Sequence, residues 1–323
     1  MGKVLSDVDI ARYRRDGFLF PIDAFSPEAA RGFRDRLEDF ERRDGRRFGK
    51  GHNFKPHLLF PWVDALVRHP AVLDPVEDLI GPDIRLFHFT IWPKSPGDPA
   101  YVSWHQGATY FGLEPAVHVT AWVALTDAPR ESGCMEVAPG SHRRGQLHHG
   151  QFADDSNLLS RGQTLTADFA RNGSVFMALK AGQMSLHHTH LIHRSGPNLS
   201  SERRIGFGIR YIPTSAMCRA ATRQSAMLVR GTDRFGHFDD EPRPQADYGL
   251  AEQAAHAEGG RPVSRAERRR GGALRGRAMS GLLALAIIGA LLAGCVPPDP
   301  RAQRNEQMNT GRVDSGGGGG GGM

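Results

Sequence analysis

Between residues 83 and 212, the sequence alternates between short apolar runs and clusters of Pro, Gly and Asp. Apolar runs of this length are typical of strands, and the clusters between them are typical of turns. The runs predict main strands at residues 84–92, 117–125, 133–138, 174–179, 184–193 and 204–212. Such a series predicts an all-β core of two packed antiparallel sheets, a cupin-like jelly roll or double-stranded β-helix.

The last of these strands shows a period of two. From residue 204 to residue 211, the even positions are Arg or Gly and the odd positions are Ile, Phe or Tyr. Successive side chains of a strand point to opposite faces, so each set shares one face. We therefore expect Arg204 to face an internal cavity, where the small glycines leave room for a ligand, and the apolar set to lie in the core.

The residues before the barrel predict flanking helices. Ser6 and Asp9 have the spacing of a capping box. Ser26 and Pro27 mark the start of a longer helix, whose apolar residues at i, i+4 and i+7 are expected to lie against the outside of the barrel. A further helical stretch covers residues 61–79, with a break near residue 69. The predicted fold class is therefore an all-β core with flanking helices (α+β).

Two histidines and an arginine carry the chemical signal. A His followed two residues later by Asp or Glu, with a second His far downstream, presents two imidazoles and a carboxylate to a non-haem Fe(II) ion. His105 fits the first position, but Gly107 stands where the acid is expected. Residues 187–193 include four histidines as candidates for the second ligand. Arg203 or Arg204 then follows at an interval that would place it on the neighbouring strand. From there its guanidinium could pair with an organic carboxylate.

Several motifs occur in the order found in a known family. They are WHQ at 104–106, TAWVALTDA at 120–128, GCMEVAPGSH at 133–142, HLIHRSGPN at 190–198 and RRIGFGIRYIPT at 203–214. Through these motifs, the region from about residue 16 to residue 248 resembles the phytanoyl-CoA dioxygenase family. The resemblance implies Fe(II) and the cosubstrate 2-oxoglutarate as cofactors, with O2 oxidising an unactivated aliphatic C–H bond of a small-molecule substrate.

The resemblance also assigns roles to individual residues. It implies that His105 and His193 are the metal ligands, since the His-x-Ser-Gly pattern of the family matches His193 and not the histidines at 187, 188 and 190. Arg204, eleven residues after His193, is expected to pair with the distal carboxylate of 2-oxoglutarate. Further cosubstrate contacts are expected from Ser195, Trp122 and Lys55.

Gly107, at the position of the acid, leaves three interpretations open. In related 2-oxoglutarate-dependent halogenases, Gly or Ala replaces the acid and chloride occupies the freed coordination position, so the resemblance allows chlorination. Alternatively, hydroxylation persists, with water or another acid such as Glu114 or Asp98 completing the iron sphere. In the third interpretation, the barrel has lost catalysis and is a non-catalytic jelly-roll binding protein.

Two long segments lie around the predicted barrel. Residues 145–170 are polar and poor in periodicity, which predicts a loop over the barrel mouth, where loops of this length often act as lids. Residues 215–253 are predicted to extend the domain, as part of the cavity rim or of a dimer contact. With these segments, the predicted oxygenase domain covers residues 1–253.

After residue 253 the composition changes. Residues 254–278 form an Arg-rich linker, in which seven Arg against one Glu between residues 261 and 277 account for the whole net charge of +6. The predicted enzyme domain is therefore close to neutral, and we expect no nucleic-acid partner. Residues 279–323 contain a hydrophobic run, a lipobox ending at Cys295 and a Gly-rich end. This tail is predicted to lie outside the fold, as the read-through of a neighbouring reading frame or as a membrane anchor at 278–296.

Cysteine usage bears on the cellular compartment. Cys134, Cys218 and Cys295 have no metal-type spacing and, being three, cannot all pair. Free thiols are typical of a reducing compartment. The first residues are polar and charged, unlike a signal peptide. We therefore expect a cytoplasmic protein, with a membrane as a partner only if the segment at 278–296 anchors it.

Overall fold

The computed structural model describes residues 2–45, 47–48, 53–152, 154–159, 162–166, 169, 173–219 and 223–259. Its α-helices are α1 (Asp7–Asp16), α2 (Pro27–Asp44), α3 (Pro61–Val67), α4 (Pro70–Ile80) and α5 (Leu250–Gly259). Its strands are β1 (Phe18–Asp23), β2 (Ile84–Lys94), β3 (Val102–His105), β4 (Leu113–Glu114), β5 (Val119–Ala124), β6 (Met135–Val137), β7 (Gly150–Gln151), β8 (Gln163–Thr164), β9 (Val175–Met177), β10 (Gln183–His188), β11 (His193–Ser195), β12 (Arg204–Pro213), β13 (Met217–Cys218), β14 (Ser225–Arg230) and β15 (Asp239–Asp240).

Two sheets of different size form the β core. Among the described residues, the large sheet has seven strands in the order β1-β10-β5-β12-β2-β14-β15, and the small sheet has four in the order β3-β11-β6-β9. Neighbouring strands pair antiparallel, apart from β14 and β15. This architecture confirms the predicted all-β core with flanking helices, arranged as a jelly roll.

The helices that precede β2 pack on the outer face of the large sheet. α1 begins with the predicted capping box, in which the Ser6 hydroxyl accepts from the Asp9 N–H and the Asp9 carboxylate accepts from the Ser6 N–H. α2 begins after Ser26, whose side chain caps it. Its buried Leu37 and Phe40 belong to the main hydrophobic core. α3 and α4 are separated at the predicted break.

The alternation predicted for the last strand is present in β12. Its apolar residues are fully buried in the core shared with the helices; they are Ile205, Phe207, Ile209 and Tyr211. Arg204 is also buried and lines an internal pocket.

The glycines of β12 have a different role from the predicted one. A Cβ on Gly206 would lie 1.9 Å from Cζ2 of Trp122, and a Cβ on Gly208 would lie 2.9 Å from Nε1 of Trp92. Neither distance is compatible with an unshifted indole ring. The space beside these glycines therefore accommodates two tryptophan rings. The prediction that it is left for a ligand was wrong for Gly206, whereas Gly208 lines the same internal pocket as Arg204.

The strand predicted at residues 184–193 is two strands in the structure. β10 ends at His188 in the large sheet, and β11 begins at His193 in the small sheet. Between them the chain turns, and the Leu191 N–H donates to the His188 carbonyl oxygen. The prediction of one strand was wrong because a run of residues with strand character does not show where a chain changes sheets. The change of sheet places His193 beside β3.

Several strands were not among those predicted from the sequence, and β3 and β14 are the two that matter most for the site and the large sheet. β3 has four residues, all buried. β14 pairs with β2 and so brings part of the segment 215–253 into the large sheet. That segment was predicted to extend the domain as part of the cavity rim or of a dimer contact, without a strand.

The C-terminal part of the described chain is helical. α5 crosses the predicted domain boundary at residue 253 and continues to Gly259. None of the helices in the described part of the chain combines the length and the apolar character that crossing a membrane requires. The boundary, the Arg-rich linker and the tail, including the segment at 278–296, stay predictions because residues 260–323 lie outside the described residues.

Candidate active site

β3 and β11 hold the two predicted metal ligands side by side. The strands are antiparallel, and His105 and His193 are directly opposite each other in the register. Side chains of directly opposed residues lie close together on one face of a sheet. The two imidazole rings accordingly have centroids 4.1 Å apart, and both line the internal cavity.

Hydrogen bonds determine which ring nitrogen of each histidine carries a proton. Nδ1 of His105 lies 2.9 Å from the carbonyl oxygen of Ser103. Nδ1 of His193 lies 2.9 Å from the carbonyl oxygen of Leu191. A carbonyl oxygen only accepts, so each Nδ1 donates and each Nε2 keeps a lone pair in the neutral ring.

The electrostatic environment keeps these two rings neutral. Burial lowers the pKa of His193 to about 4. Burial, and then the neighbouring His193, lowers the pKa of His105 well below its ordinary value. Neutral imidazoles whose Nδ1 donates to a carbonyl oxygen are suited to bind a metal ion through Nε2. The pair therefore fits an iron ion with two protein nitrogens.

Gly107 lines the same cavity and has space for a side chain. The nearest atoms to a Cβ built on it would be Nε2 of His118 and the carbonyl oxygen of Thr189, both at 3.6 Å, which is ordinary contact distance.

The acids considered as substitutes for a carboxylate at 107 have other partners. Glu114 forms an ion pair with Arg219 on the surface. Asp98 accepts from the N–H groups of Ser95 and Ala100 in a turn. Neither acid lines the cavity. Among the described residues, no three His, Cys, Asp or Glu side chains are grouped so that they could hold a metal ion.

A small side pocket contains the predicted cosubstrate residues Arg204, Ser195 and Trp122, and the two histidines line it as well. Nη1 of Arg204 donates to the carbonyl oxygen of Gly133 at 2.6 Å and to Oγ of Ser195 at 3.2 Å. Its guanidinium carbon lies 5.6 Å from the centre of the Trp122 ring. The Nε of Arg204 is buried and has no hydrogen-bond partner. Burial lowers the pKa of Arg204 to about 10, so the group remains a cation at neutral pH.

Lys94 is a second buried cation beside this pocket, and the sequence analysis missed it. Lys94 pairs with Arg204 in the register of β2 and β12, and it is fully buried. Its ammonium donates to Oγ of Ser195 at 2.9 Å. Burial, and then the Arg204 cation, lowers the pKa of Lys94 to about 7. No acidic residue of the described chain lines the pocket, so a bound dicarboxylate would supply negative charge that this part of the protein does not provide.

A larger cavity of about 570 Å³ shares the histidine pair. Aromatic, imidazole and guanidinium groups form much of its wall; they include Phe87, His88, Phe111, His118, His187 and Arg210. Leu158 and Leu159, from the segment predicted to lie over the barrel mouth, also line it. The Leu158 N–H donates to the Tyr101 carbonyl oxygen at 2.8 Å, next to β3. The segment therefore contributes to the cavity wall, and its movement as a lid stays a prediction.

A family model described as phytanoyl-CoA dioxygenase (PhyH) matches residues 13–206, more than half of the chain. The chain belongs to the phytanoyl-CoA dioxygenase family. This membership confirms the resemblance inferred from the motifs.

Curated relatives of the chain include members of this family. A "Probable alpha-ketoglutarate-dependent hypophosphite dioxygenase" of Stutzerimonas stutzeri is 31% identical over 154 residues, covering 46% of this chain and 52% of the relative. The peroxisomal phytanoyl-CoA dioxygenase of Bos taurus is 30% identical over 138 residues, covering 41% of this chain and 40% of the relative. The chain thus spans about half the length of these relatives or less.

A solved structure matches over most of the described fold. The apo form of ThoJ, a non-heme monooxygenase, is 33% identical with a TM-score of 0.69, and the match covers 83% of this chain and 99% of ThoJ. This likeness confirms the predicted fold. The names of these relatives also confirm the predicted enzyme class, the non-haem, 2-oxoglutarate-dependent oxygenases.

Lys55 does not join the other residues that the family resemblance assigned to the cosubstrate. It lines the larger cavity, but its ammonium pairs with Glu241 and donates to Oγ of Ser225 at 3.0 Å. Burial alone would raise the pKa of Glu241, but the Lys55 cation and a hydrogen bond from His57 lower it to about 2. The charge of Lys55 is therefore neutralised within the protein, and the structure does not support the predicted cosubstrate contact.

The histidines near His193 differ in their surroundings. His187 lies in the cavity wall, and its ring centroid is 5.0 Å from that of His193. His188 packs against His142, with centroids 5.2 Å apart. His142 in turn contacts the end of α1, where its Nε2 lies 3.1 Å from the Arg14 carbonyl oxygen.

The alternation of side chains along the predicted strands could have identified further residues of the cavity wall. Trp122 was predicted to face the site, and positions 118 and 120 share its face of the predicted strand 117–125. His118 and Thr120 do line the cavity. By the same spacing, β2 places three further side chains there, those of His88, Thr90 and Trp92.

Proposed function

We propose that this protein is an Fe(II)- and 2-oxoglutarate-dependent oxygenase that oxidises an aliphatic C–H bond of a small molecule. The observation that carries the proposal is the cross-strand pair of His105 and His193, which lines the same pocket as the buried Arg204 cation. In this proposal the two imidazoles hold the metal, and Arg204 binds the distal carboxylate of 2-oxoglutarate. Membership of the phytanoyl-CoA dioxygenase family supports the reaction class.

The residues of the side pocket would bind and orient the cosubstrate. The guanidinium of Arg204 offers N–H donors in a planar fork that matches a carboxylate, and the Ser195 hydroxyl lies beside it. The Trp122 ring forms an apolar wall that keeps water away and so strengthens the charge attraction. When bound, iron and 2-oxoglutarate supply an oxidation of the substrate that is coupled to the conversion of 2-oxoglutarate and O2 to succinate and CO2.

The larger cavity is the proposed substrate site. Its volume of about 570 Å³ is in the range of small-molecule pockets. Phe87 and Phe111 provide apolar surface, while His88 and Arg210 provide polar groups that can orient a substrate.

The oxidation could insert oxygen or chlorine into the substrate, and a separate observation supports each outcome. The names of the relatives, dioxygenase and monooxygenase, favour insertion of oxygen. The space at Gly107, together with the other partners of Glu114 and Asp98, favours an added ligand such as chloride and therefore chlorination.

Anaerobic reconstitution of the full chain with Fe(II) and 2-oxoglutarate tests the proposal. We expect a visible charge-transfer band, followed by succinate formation when O2 is added. Chloride-dependent product would establish chlorination, and product without chloride would establish hydroxylation. If no band forms and no succinate appears, the oxygenase proposal is wrong and a non-catalytic binding protein is the better description.

A Gly107→Asp variant tests the open ligand position. The site has room for the new Cβ, and a carboxylate would neutralise charge on the metal. We expect Fe(II) affinity to rise by at least about tenfold, as direct ligation should exceed the usual effect of an outer-shell contact. Any effect of chloride on the band should be lost. Gly107→Ala adds the same Cβ without an acid and serves as the matched control; equal affinities of the two variants would contradict the prediction.

A further inference from the structure

Two polar side chains beside Gly107 are buried without hydrogen-bond partners. His118 is 1% exposed, and neither of its ring nitrogens has a partner. Thr189 is 2% exposed, and its hydroxyl has none. Both residues line the cavity. Buried polar groups of this kind are rare in folded proteins and call for an explanation such as a ligand or an ion.

The His118 ring and the Thr189 backbone lie next to the space that a side chain at position 107 would occupy. Nε2 of His118 and the carbonyl oxygen of Thr189 are each 3.6 Å from the position of a Cβ on Gly107. The carbonyl oxygen already accepts from the Ala108 N–H at 3.1 Å. The His118 imidazole is therefore the side-chain group that can contact a ligand in this space, and Thr189 lines the same cavity with an unpartnered hydroxyl.

The charge of the surroundings favours an anion there. Among the described residues that line the two pockets, none is an Asp or Glu. Arg204 and Arg210 do line them and bring positive charge. Lys55 also lines the larger cavity, but Glu241 compensates its charge. Two neutral imidazoles bring no negative charge to a bound divalent metal ion. A small anion beside Gly107 would replace the charge that a carboxylate at this position would have supplied.

We propose that His118, assisted by the Thr189 hydroxyl, donates a hydrogen bond to a small monovalent anion, such as chloride, held in the space beside Gly107. A neutral imidazole has one N–H, which suits this role. The inference rests on the proposed function, because the anion is taken to accompany the bound metal. His118 is a positioning residue, since it acts on the reaction through the anion.

Chloride titration of the full chain loaded anaerobically with Fe(II) and 2-oxoglutarate tests this inference. The readouts are the shift of the visible band and the apparent Kd of chloride at constant ionic strength. The wild type should show a saturable shift. His118→Phe removes the donor and should weaken chloride binding by about 10-fold or more, the value of a hydrogen bond to a charged group. His118→Gln keeps an N–H donor and should retain much of the affinity.

His256→Ala is the matched control, because His256 also lines the cavity but its Nε2 lies 2.7 Å from the Phe54 carbonyl oxygen. This variant should bind chloride like the wild type. Equal chloride affinity in wild type and His118→Phe would overturn the inference, as would an equal loss in His256→Ala. Should His118→Phe fail to fold, a loss of affinity in Thr189→Val with retention in His118→Gln would support the inference, and unchanged affinity in Thr189→Val would overturn it.

Failure of the two proposals can be told apart. A wild-type band that ignores chloride would overturn the anion site and leave the oxygenase proposal standing. The absence of any band with Fe(II) and 2-oxoglutarate would overturn both.

Discussion

At the scale of single residues, two adjacent arginines have opposite environments. Arg204 lines the side pocket, where its Nη1 donates to the Gly133 carbonyl oxygen and to Oγ of Ser195. Arg203 points to the helical side, where its Nη1 and Nη2 each donate to the Glu41 carboxylate at 2.7 Å. The alternation along a strand is the cause of this difference. The same alternation allowed the sequence to favour Arg204 as the cosubstrate residue.

Arg204→Gln should raise the apparent Kd of 2-oxoglutarate by about 10- to 100-fold, because hydrogen bonds to a charged group contribute about 1.5–3 kcal/mol. The measurement is titration of the visible band with 2-oxoglutarate in the Fe(II)-loaded protein. Arg203→Gln is the matched control; it should lower the free energy of unfolding and leave the Kd unchanged. A larger rise in Kd for Arg203→Gln than for Arg204→Gln would contradict the assignment.

Lys94 makes stability depend on pH. Its pKa of about 7 in the folded protein is below the ordinary value of 10.5, so unfolding takes up a proton between these values. The free energy of unfolding therefore rises with pH in this window, and the full cost of the buried cation is present below pH 7. Relative to wild type, Lys94→Met should have its largest stability advantage at pH 6, and this advantage should be much smaller at pH 9.

Urea unfolding of both proteins at the two pH values measures this effect. Lys180→Met, at an exposed lysine, is the control and should show no such trend. A constant difference between Lys94→Met and wild type across the range would show that Lys94 is not a buried cation in solution.

At the scale of elements, the site depends on where the chain moves from one sheet to the other. β10 and β11 were predicted as one strand, and the turn between them transfers the chain to the small sheet. There His193 meets His105 across the register. Periodicity predicted most of the main strands and the flanking helices, because those features depend on neighbouring residues. It could not predict the turn, which depends on packing between the two sheets.

The contact between β12 and β5 leaves no space at Gly206. A methyl group there would overlap the Trp122 ring, so Gly206→Ala should lower the free energy of unfolding by about 1–3 kcal/mol. Urea unfolding is the measurement. Gly32→Ala, in α2 where nothing lies within 4 Å of the new Cβ, is the control and should raise stability by about 0.5–1 kcal/mol. Equal effects of the two substitutions would contradict the close approach of Trp122 to β12.

At the scale of the whole molecule, the described C-terminal helix contributes to the cavity rim. His256 and Gly259 of α5 line the larger cavity. The predicted domain end at residue 253 falls within this helix. We therefore propose that the oxygenase domain includes α5 and extends at least to residue 259.

Truncation experiments test this boundary. A chain ending at Gly259 should keep the Tm of the full chain. A chain ending at Gln253 loses the hydrogen bond from His256 to the Phe54 carbonyl oxygen, and its Tm should fall by about 2–4 °C, the effect of about 1 kcal/mol. Thermal unfolding measures both. The same Tm for the two truncated chains would favour the boundary at 253.

By itself, the sequence determined the features that depend on short spacing: the strands and helix caps, and the motif positions of His105, Gly107 and Arg204. Only the tertiary structure decided which distant residues meet. His105 and His193 are 88 residues apart and become neighbours through strand register. Lys94 lies beside Arg204 for the same reason. The pairing of Lys55 with Glu241 comes from the packing of segments outside the strands. Register and sheet changes follow from packing over the whole barrel, which local periodicity does not encode.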